Sequence, residues 1–278
     1  TRSLKMSNGI CILAQNNETT NYVEQTYALA LSVLANAPTT NISIVTNDKI
    51  PSAYKDVFDK IIPIPWGDAA SETDWKIDNR WKLYHTTPYK NTLVFDADML
   101  VLDDITPVWN NLHNLSFTTN IKTYRNEPVT TRHYRKAFDA NSLPEVYVGM
   151  YQFSKGIEAH NFFKLLDVIM QNWSVFYKKY ASKSMQNWNS VDLSAAIALK
   201  ILDTPGNTLN DNSMMSFTHM KPNAQNLVHA PSKWTDALSV DFGNDSVYIN
   251  GYKQSGVLHY VEDEFLTADM LKWLEERV

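Results

Sequence analysis

The stretch Thr92-Leu-Val-Phe-Asp-Ala-Asp-Met-Leu-Val-Leu102 constrains this chain more than any other: an apolar run is broken by Asp96 and Asp98 and then resumes. A run of that length reads as a buried strand, and alternate strand residues share a face, so both carboxylates are expected to point the same way. Two adjacent buried anions are costly unless a cation lies between them. A hard divalent metal with oxygen ligands answers that need, and in open α/β sheets ligands collect at the carboxyl ends of the strands. An Asp-x-Asp triplet also occurs as a plain turn former, so the apolar run before it carries the argument.

The pattern ahead of the run says what kind of sheet holds it. Gly9 to Gln15 is a short apolar strand followed by a polar patch over 16–21, and from Tyr22 to Asn36 apolar residues recur at helical spacing until Pro38 ends the helix. Asn41 to Asp48 reads as a second strand, and Lys60 to Pro65, with its prolines, as a third of edge type. Alternating strands and helices predict an α/β fold with a central, mostly parallel sheet flanked by helices. A helix is expected over 77–87, where Pro88 stops it.

Beyond the acids the chain is irregular over 105–143 and carries the cluster Arg125, Arg132, His133, Arg135 and Lys136. Glu145 to Phe153 reads as a strand with Gly149 inside it, and a strand glycine marks close approach of a ligand or another backbone. Helices are expected over 159–180 and 190–201, with Asp192 near the amino end of the second, where an acid suits the helix dipole. A hairpin at Asn250-Gly251, a strand over 256–260 and a helix over 267–276 close the chain as a small C-terminal extension. No repeat or linker divides it, and a single domain over 6–278 is expected.

Composition narrows the partners. With 25 Lys and Arg against 30 Asp and Glu, the net charge of -5 gives no electrostatic footprint for duplex DNA. The single cysteine, Cys11, allows no internal disulfide, and no apolar run reaches the ~18 residues of a membrane span. A cytoplasmic protein with no membrane segment is the expectation.

With these elements placed, their order resembles a GT-A glycosyltransferase, close in pattern to the family that contains glycogenin and bacterial lipopolysaccharide galactosyltransferases. The resemblance is distributed over roughly residues 9–200: Tyr22-Val23 opening a helix after the first strand, Arg80 sixteen residues before Asp96, Tyr89, Asp96-Ala-Asp98, the strand Tyr147 to Phe153, and Asp192 in its helix. It implies a GT-A, Rossmann-like fold, with 9–104 as the nucleotide-binding half and 105–278 as the acceptor-binding half.

The same resemblance implies a Mn²⁺ or Mg²⁺ ion on Asp96, Asp98 and a histidine, neutralising the diphosphate of a nucleotide sugar, UDP-linked being the expected form. Tyr22 would stack the base, Ala14, Asn16, Asn47 and Asp48 would line the nucleoside, and Arg80 and Ala97 would complete the nucleotide end. Asp192 would face the transferred sugar, with retention of anomeric configuration. The family's late His-x-x-Gly-x-x-Lys-Pro-Trp motif has no clean copy, which leaves His219, His229 and His259 as competing metal ligands. The short apolar strand that presents His259 favours it, and His219 and Lys221 then suit the diphosphate or the acceptor.

The acceptor is open between a saccharide, a protein and a modified DNA base as in phage base-modifying transferases. The rival enzyme class is a haloacid-dehalogenase-type phosphatase, which also places Asp-x-Asp after an apolar strand. That family opens its domain with the motif, whereas roughly ninety residues precede Asp96 here. A degenerate transferase fold that binds without turnover is the non-enzymatic rival.

Overall fold

A computed structural model describes residues 7–66, 79–129, 135–184, 188–204, 207–208, 215–227 and 233–278. In chain order the strands are β1 (Asn8–Leu13), β2 (Ile42–Val45), β3 (Lys60–Ile62), β4 (Asn91–Phe95), β5 (Met99–Val101), β6 (Leu115–Thr118), β7 (Ile121–Lys122), β8 (Tyr147–Ser154), β9 (Asn207–Thr208), β10 (Phe217–His219), β11 (Val240–Gly243), β12 (Ser246–Ile249), β13 (Tyr252–Lys253) and β14 (Val257–His259). The helices are α1 (Tyr22–Asn36), α2 (Leu83–Thr86), α3 (Lys136–Asn141), α4 (Ile157–Gln171), α5 (Trp173–Tyr180), α6 (Val191–Ile201) and α7 (Ala268–Glu275). Among the described residues no helix is long and apolar enough to cross a membrane.

Seven strands form the central sheet in the order β3-β2-β1-β4-β8-β6-β9. β3, β2, β1 and β4 run parallel, and β8 enters antiparallel to both β4 and β6. Strand alternation sorts the core into two layers. Cys11, Val94, Tyr151 and Phe153 face α4 and α6, packing with Phe162, Phe163, Leu166 and Ala195. Ile10, Ile12, Leu93 and Phe95 face α1, packing with Leu29, Ala30 and Val33. The chain steps in opposite directions from β1, to β2 on one side and β4 on the other, which opens a crevice at the carboxyl ends of both.

A second sheet, β5-β14-β10-β7, stands beside that crevice, and the antiparallel β11-β12-β13 forms a third. The expected hairpin is present: Ile249 pairs with Tyr252 across Asn250 (φ 52°) and Gly251 (φ 80°), the two positive φ values of a type I′ turn. The helix expected over 159–180 is two helices. Asn172 takes a non-helical conformation between them and returns its side-chain amide to the Val168 carbonyl at 2.9 Å, a local bond that competes with the helix ladder. The helix expected over 77–87 is a 3₁₀ turn at Arg80–Lys82 followed by α2, while 77 and 78 lie outside the described residues, as do Arg132, His133 and His229.

Gly256 locks the strands β5, β14 and β10 of the second sheet together at one end. Its φ of +70° needs a residue without a side chain, and a Cβ there would lie 2.1 Å from the Ser216 carbonyl oxygen. Its N–H donates to Asp103 Oδ2 at 2.7 Å and its carbonyl accepts from Leu102 N at 2.7 Å. Gly256→Ala is therefore expected to lower the unfolding free energy by about 2–3 kcal/mol in urea titrations. Gly156→Ala is the matched control, because the nearest atom to its Cβ is 3.8 Å away, and it should stay within about 0.5 kcal/mol of wild type.

Candidate functional site

β4 ends at Phe95 and β5 begins at Met99, so Asp96, Ala97 and Asp98 form the turn by which the chain leaves one sheet for the other. This corrects the expectation that one strand carries both acids. β4 pairs with β1 and β8 up to Phe95, whereas Met99 pairs with His259 of β14. The carboxylates converge because the backbone changes sheets between them, not because of strand alternation.

His259 faces this turn from the second sheet, with Nε2 2.9 Å from Asp98 Oδ2. One ligand atom from each of Asp96, Asp98 and His259 lies within 4.8 Å of the others. His219, its register partner on β10, stacks on the His259 ring at 4.6 Å but is outside that group. Burial, followed by the neighbouring His259, holds His219 well below the ordinary histidine range.

The two acids stand in unequal electrostatic positions. Arg80 Nη1 lies 2.9 Å from both Asp96 oxygens, and Tyr147 Oη donates to Asp96 Oδ2 at 3.3 Å. Burial still pushes the Asp96 carboxyl up to about 6; Arg80 pulls it down and Asp98 pushes it further up. Burial also acts upward on Asp98, but the His259 imidazole and its hydrogen bond outweigh it and hold Asp98 below the usual carboxylate range. Two carboxylates and an imidazole, close enough to share one ion, fit a divalent cation, and the nitrogen shifts preference modestly from Mg²⁺ toward Mn²⁺.

A cavity of about 410 Å³ opens over this group. Its walls bring together Tyr22, Arg80 and Asp192 with Asp96, Ala97 and Asp98, and add His219, Lys221 and His259. Ser190 caps α6, its oxygen accepting from Leu193 N at 3.4 Å, which sets Asp192 in the first turn facing the cavity. Asp192 is held from two sides: Oδ1 accepts the Val148 N–H at 2.7 Å and Oδ2 the Arg135 guanidinium at 3.2 Å.

Ala14, Asn16, Asn47 and Asp48 lie outside the cavity lining. Asn16 accepts from Val23 N at 3.0 Å, Asp48 from Asn16 N at 2.7 Å and Asn47 from Ile64 N at 2.9 Å, while Ala14 donates its N–H to Val45 O at 3.0 Å. These residues shape the loop that leads into α1 and presents Tyr22. The lining also includes Gln15, Tyr147, Trp188 and Ser190, none of which was singled out as a site residue from the sequence. The polar Gln15 in an apolar run and the phenol two residues before Gly149 were the available signals.

Gly149 answers the close approach that a strand glycine marks. A Cβ there would lie 2.4 Å from the Tyr147 ring and 2.5 Å from Asp96 Oδ2, so the missing side chain makes room for both. The Gly149 carbonyl also accepts the Asp96 N–H at 2.8 Å.

No family model matches the chain, and no curated protein matches it. Solved structures do. The galactosyltransferase LgtC, solved in complex with donor and acceptor sugar analogs, superposes with a TM-score of 0.50 at 16% identity, over 98% of this chain and 95% of that one. An active-site mutant of LgtC gives 0.50 at 17% identity over the same shares. The glycosyltransferase GlyE of Streptococcus pneumoniae TIGR4 gives 0.49 at 12% identity; the match covers 98% of this chain, which spans 60% of the length of GlyE. The chain thus has the GT-A fold of LgtC: a mostly parallel α/β sheet flanked by helices, with a small antiparallel sheet near its C-terminus.

The raised Asp96 predicts a pH signature. Its folded value, about 6, lies above the ordinary 3.8, so folding takes up a proton between those values. This contribution to stability therefore grows as pH falls through 6 and levels off below 3.8. In EDTA, the melting temperature of wild type relative to Asp96→Asn should rise on going from pH 7 to pH 5, by scanning calorimetry. Millimolar Mn²⁺ should flatten that rise.

Proposed function

We propose that this chain is a metal-dependent glycosyltransferase that moves a sugar from a nucleoside-diphosphate sugar, UDP-linked, to an acceptor with retention of configuration. The observation that carries the reading is the convergence of Asp96, Asp98 and His259 at the crevice of a GT-A sheet, beneath a 410 Å³ cavity. A divalent ion held by those three residues would supply the positive charge that stabilises the departing diphosphate.

The chain's own groups supply the rest. Tyr22 opens α1 at the cavity wall, half-buried, where its ring offers a face to a base. Burial pushes its hydroxyl up to about 12, so it stays neutral beside an anionic ligand. Lys221 brings a positive charge to the diphosphate end. Arg80 neutralises Asp96, and that ion pair holds the first acid in place before any ligand arrives. Asp192, fixed by Val148 N and Arg135, presents its carboxylate where charge develops on the transferred sugar. Trp188, 62% exposed on the same cavity, offers a broad apolar face to a sugar ring or a base at the acceptor side.

A panel of nucleotide sugars with and without Mn²⁺, reading released diphosphate and thermal shift, tests the reading. One UDP-sugar should turn over with Mn²⁺ only, and UDP should raise the melting temperature in its presence. Asp98→Asn is expected to lower kcat/KM by at least about 10²-fold, the scale of removing one electrostatic stabiliser. Asp192→Asn should lower kcat with KM for the donor nearly unchanged. Hydrolysis of simple phosphate esters with no donor-sugar turnover would point instead to a phosphatase. Donor binding that is the same in wild type and Asp98→Asn, without turnover, would mark a binding module.

A further inference from the structure

Tyr147 stands at the junction of the two acids and the histidine, on the central strand β8, 8% exposed. Its hydroxyl meets two groups at once: Asp96 Oδ2 at 3.3 Å and His259 Nδ1 at 2.9 Å. A phenol has one hydrogen to give, and an ionised carboxylate only accepts, so that hydrogen belongs to Asp96. The phenol oxygen is then left as an acceptor, and the group that faces it must donate. That group is Nδ1 of His259.

The other imidazole nitrogen, Nε2, is turned toward the acids 2.9 Å from Asp98 Oδ2, and because that carboxylate only accepts, Nε2 is the donor there while no ion is bound. To bind a cation Nε2 must offer its lone pair, and a neutral imidazole carries its single hydrogen on the opposite nitrogen. The hydrogen-bond chain His259 Nδ1–H to Tyr147 Oη–H to Asp96 Oδ2 holds that remaining hydrogen once an ion displaces the one between Nε2 and Asp98. It also links a ligand on the first sheet to a ligand on the second through one side chain.

The surroundings of Tyr147 hold its ring in this place. The ring lies 5.2 Å from the His219 ring and 5.5 Å from that of Phe217, and it takes the space left by Gly149, where any Cβ would come within 2.4 Å of it. These neighbours restrict translation of the ring. A phenylalanine would fill the same socket and lack only the oxygen.

From this we infer that Tyr147 is a positioning residue for the cation site: its hydroxyl accepts the Nδ1–H of His259, so that Nε2 faces the ion, and it orients Asp96. The inference rests on the metal-dependent reading above, and the test separates the two. Mn²⁺ binding to the full chain without nucleotide, followed by electron paramagnetic resonance, should be about 10- to 100-fold weaker in Tyr147→Phe than in wild type, the usual cost of losing a group that orients a metal ligand. In the Mg²⁺-loaded wild type, nitrogen-15 spectra should resolve the His259 Nδ1–H and show it protected from exchange with water, and in Tyr147→Phe that hydrogen should exchange faster. That measurement needs only the wild-type chain to stand if the variant does not fold. Equal Mn²⁺ affinities, or a His259 Nδ1–H that exchanges freely with water in the Mg²⁺-loaded wild type, would overturn the role of Tyr147 while leaving the metal intact. Wild-type protein that binds no Mn²⁺ would overturn the metal reading, and the role with it.

Discussion

The organising constraint is the burial of Asp96 and Asp98 where the chain passes from one sheet to another. Two anions in a half-buried turn repel each other and lose part of their water, and nothing in β4 or β5 relieves them. Relief comes from far along the chain: Arg80 from the 3₁₀ turn before α2, His259 from β14, and the Tyr147 hydroxyl from β8. The fold can be read as the arrangement that delivers these groups to one point. Parallel β1 and β4 create the crevice, antiparallel β8 brings Tyr147 beside it, and the second sheet closes it with His259.

Much of the central sheet was legible because periodicity and punctuation agreed. The strand expected at Gly9 and the helix expected at Tyr22 are both present, the helix over the residues its apolar spacing marked, with Asn21 capping its start. Helix α4 was misjudged because Asn172 breaks the ladder through a side-chain bond that hydrophobic spacing does not register. The acids were legible as a pair but not as a turn: an apolar run that changes sheets at its midpoint looks, residue by residue, like one long strand.

The site was legible where one residue type carries the chemistry and obscure where partners come from afar. Asp-x-Asp after an apolar run points to a cation. Which histidine completes it depends on register between β5 and β14, a pairing of residues about 160 positions apart. The resemblance implied that Asn16, Asn47 and Asp48 line the nucleoside; in the structure each accepts a backbone N–H of the surrounding loops, a role that residue type does not announce. Tyr147 was passed over for the converse reason: in a strand an aromatic reads as core, and only the distance to His259 Nδ1 shows its hydroxyl at work.

Gly256 gives the site a mechanical character. Its backbone, wedged against Ser216 and latched to Asp103, seats β14 between β10 and β5 in the second sheet, and β14 carries His259 to the acids that stand where the chain leaves the first sheet. The gap between Asp96 and His259 is thus a gauge of how the sheets are seated, and an ion lodged in it would act as a rivet across the seam. Substitutions at the seam, well away from any ligand atom, should then tune ion affinity by altering the spacing of the grip while leaving its chemistry untouched.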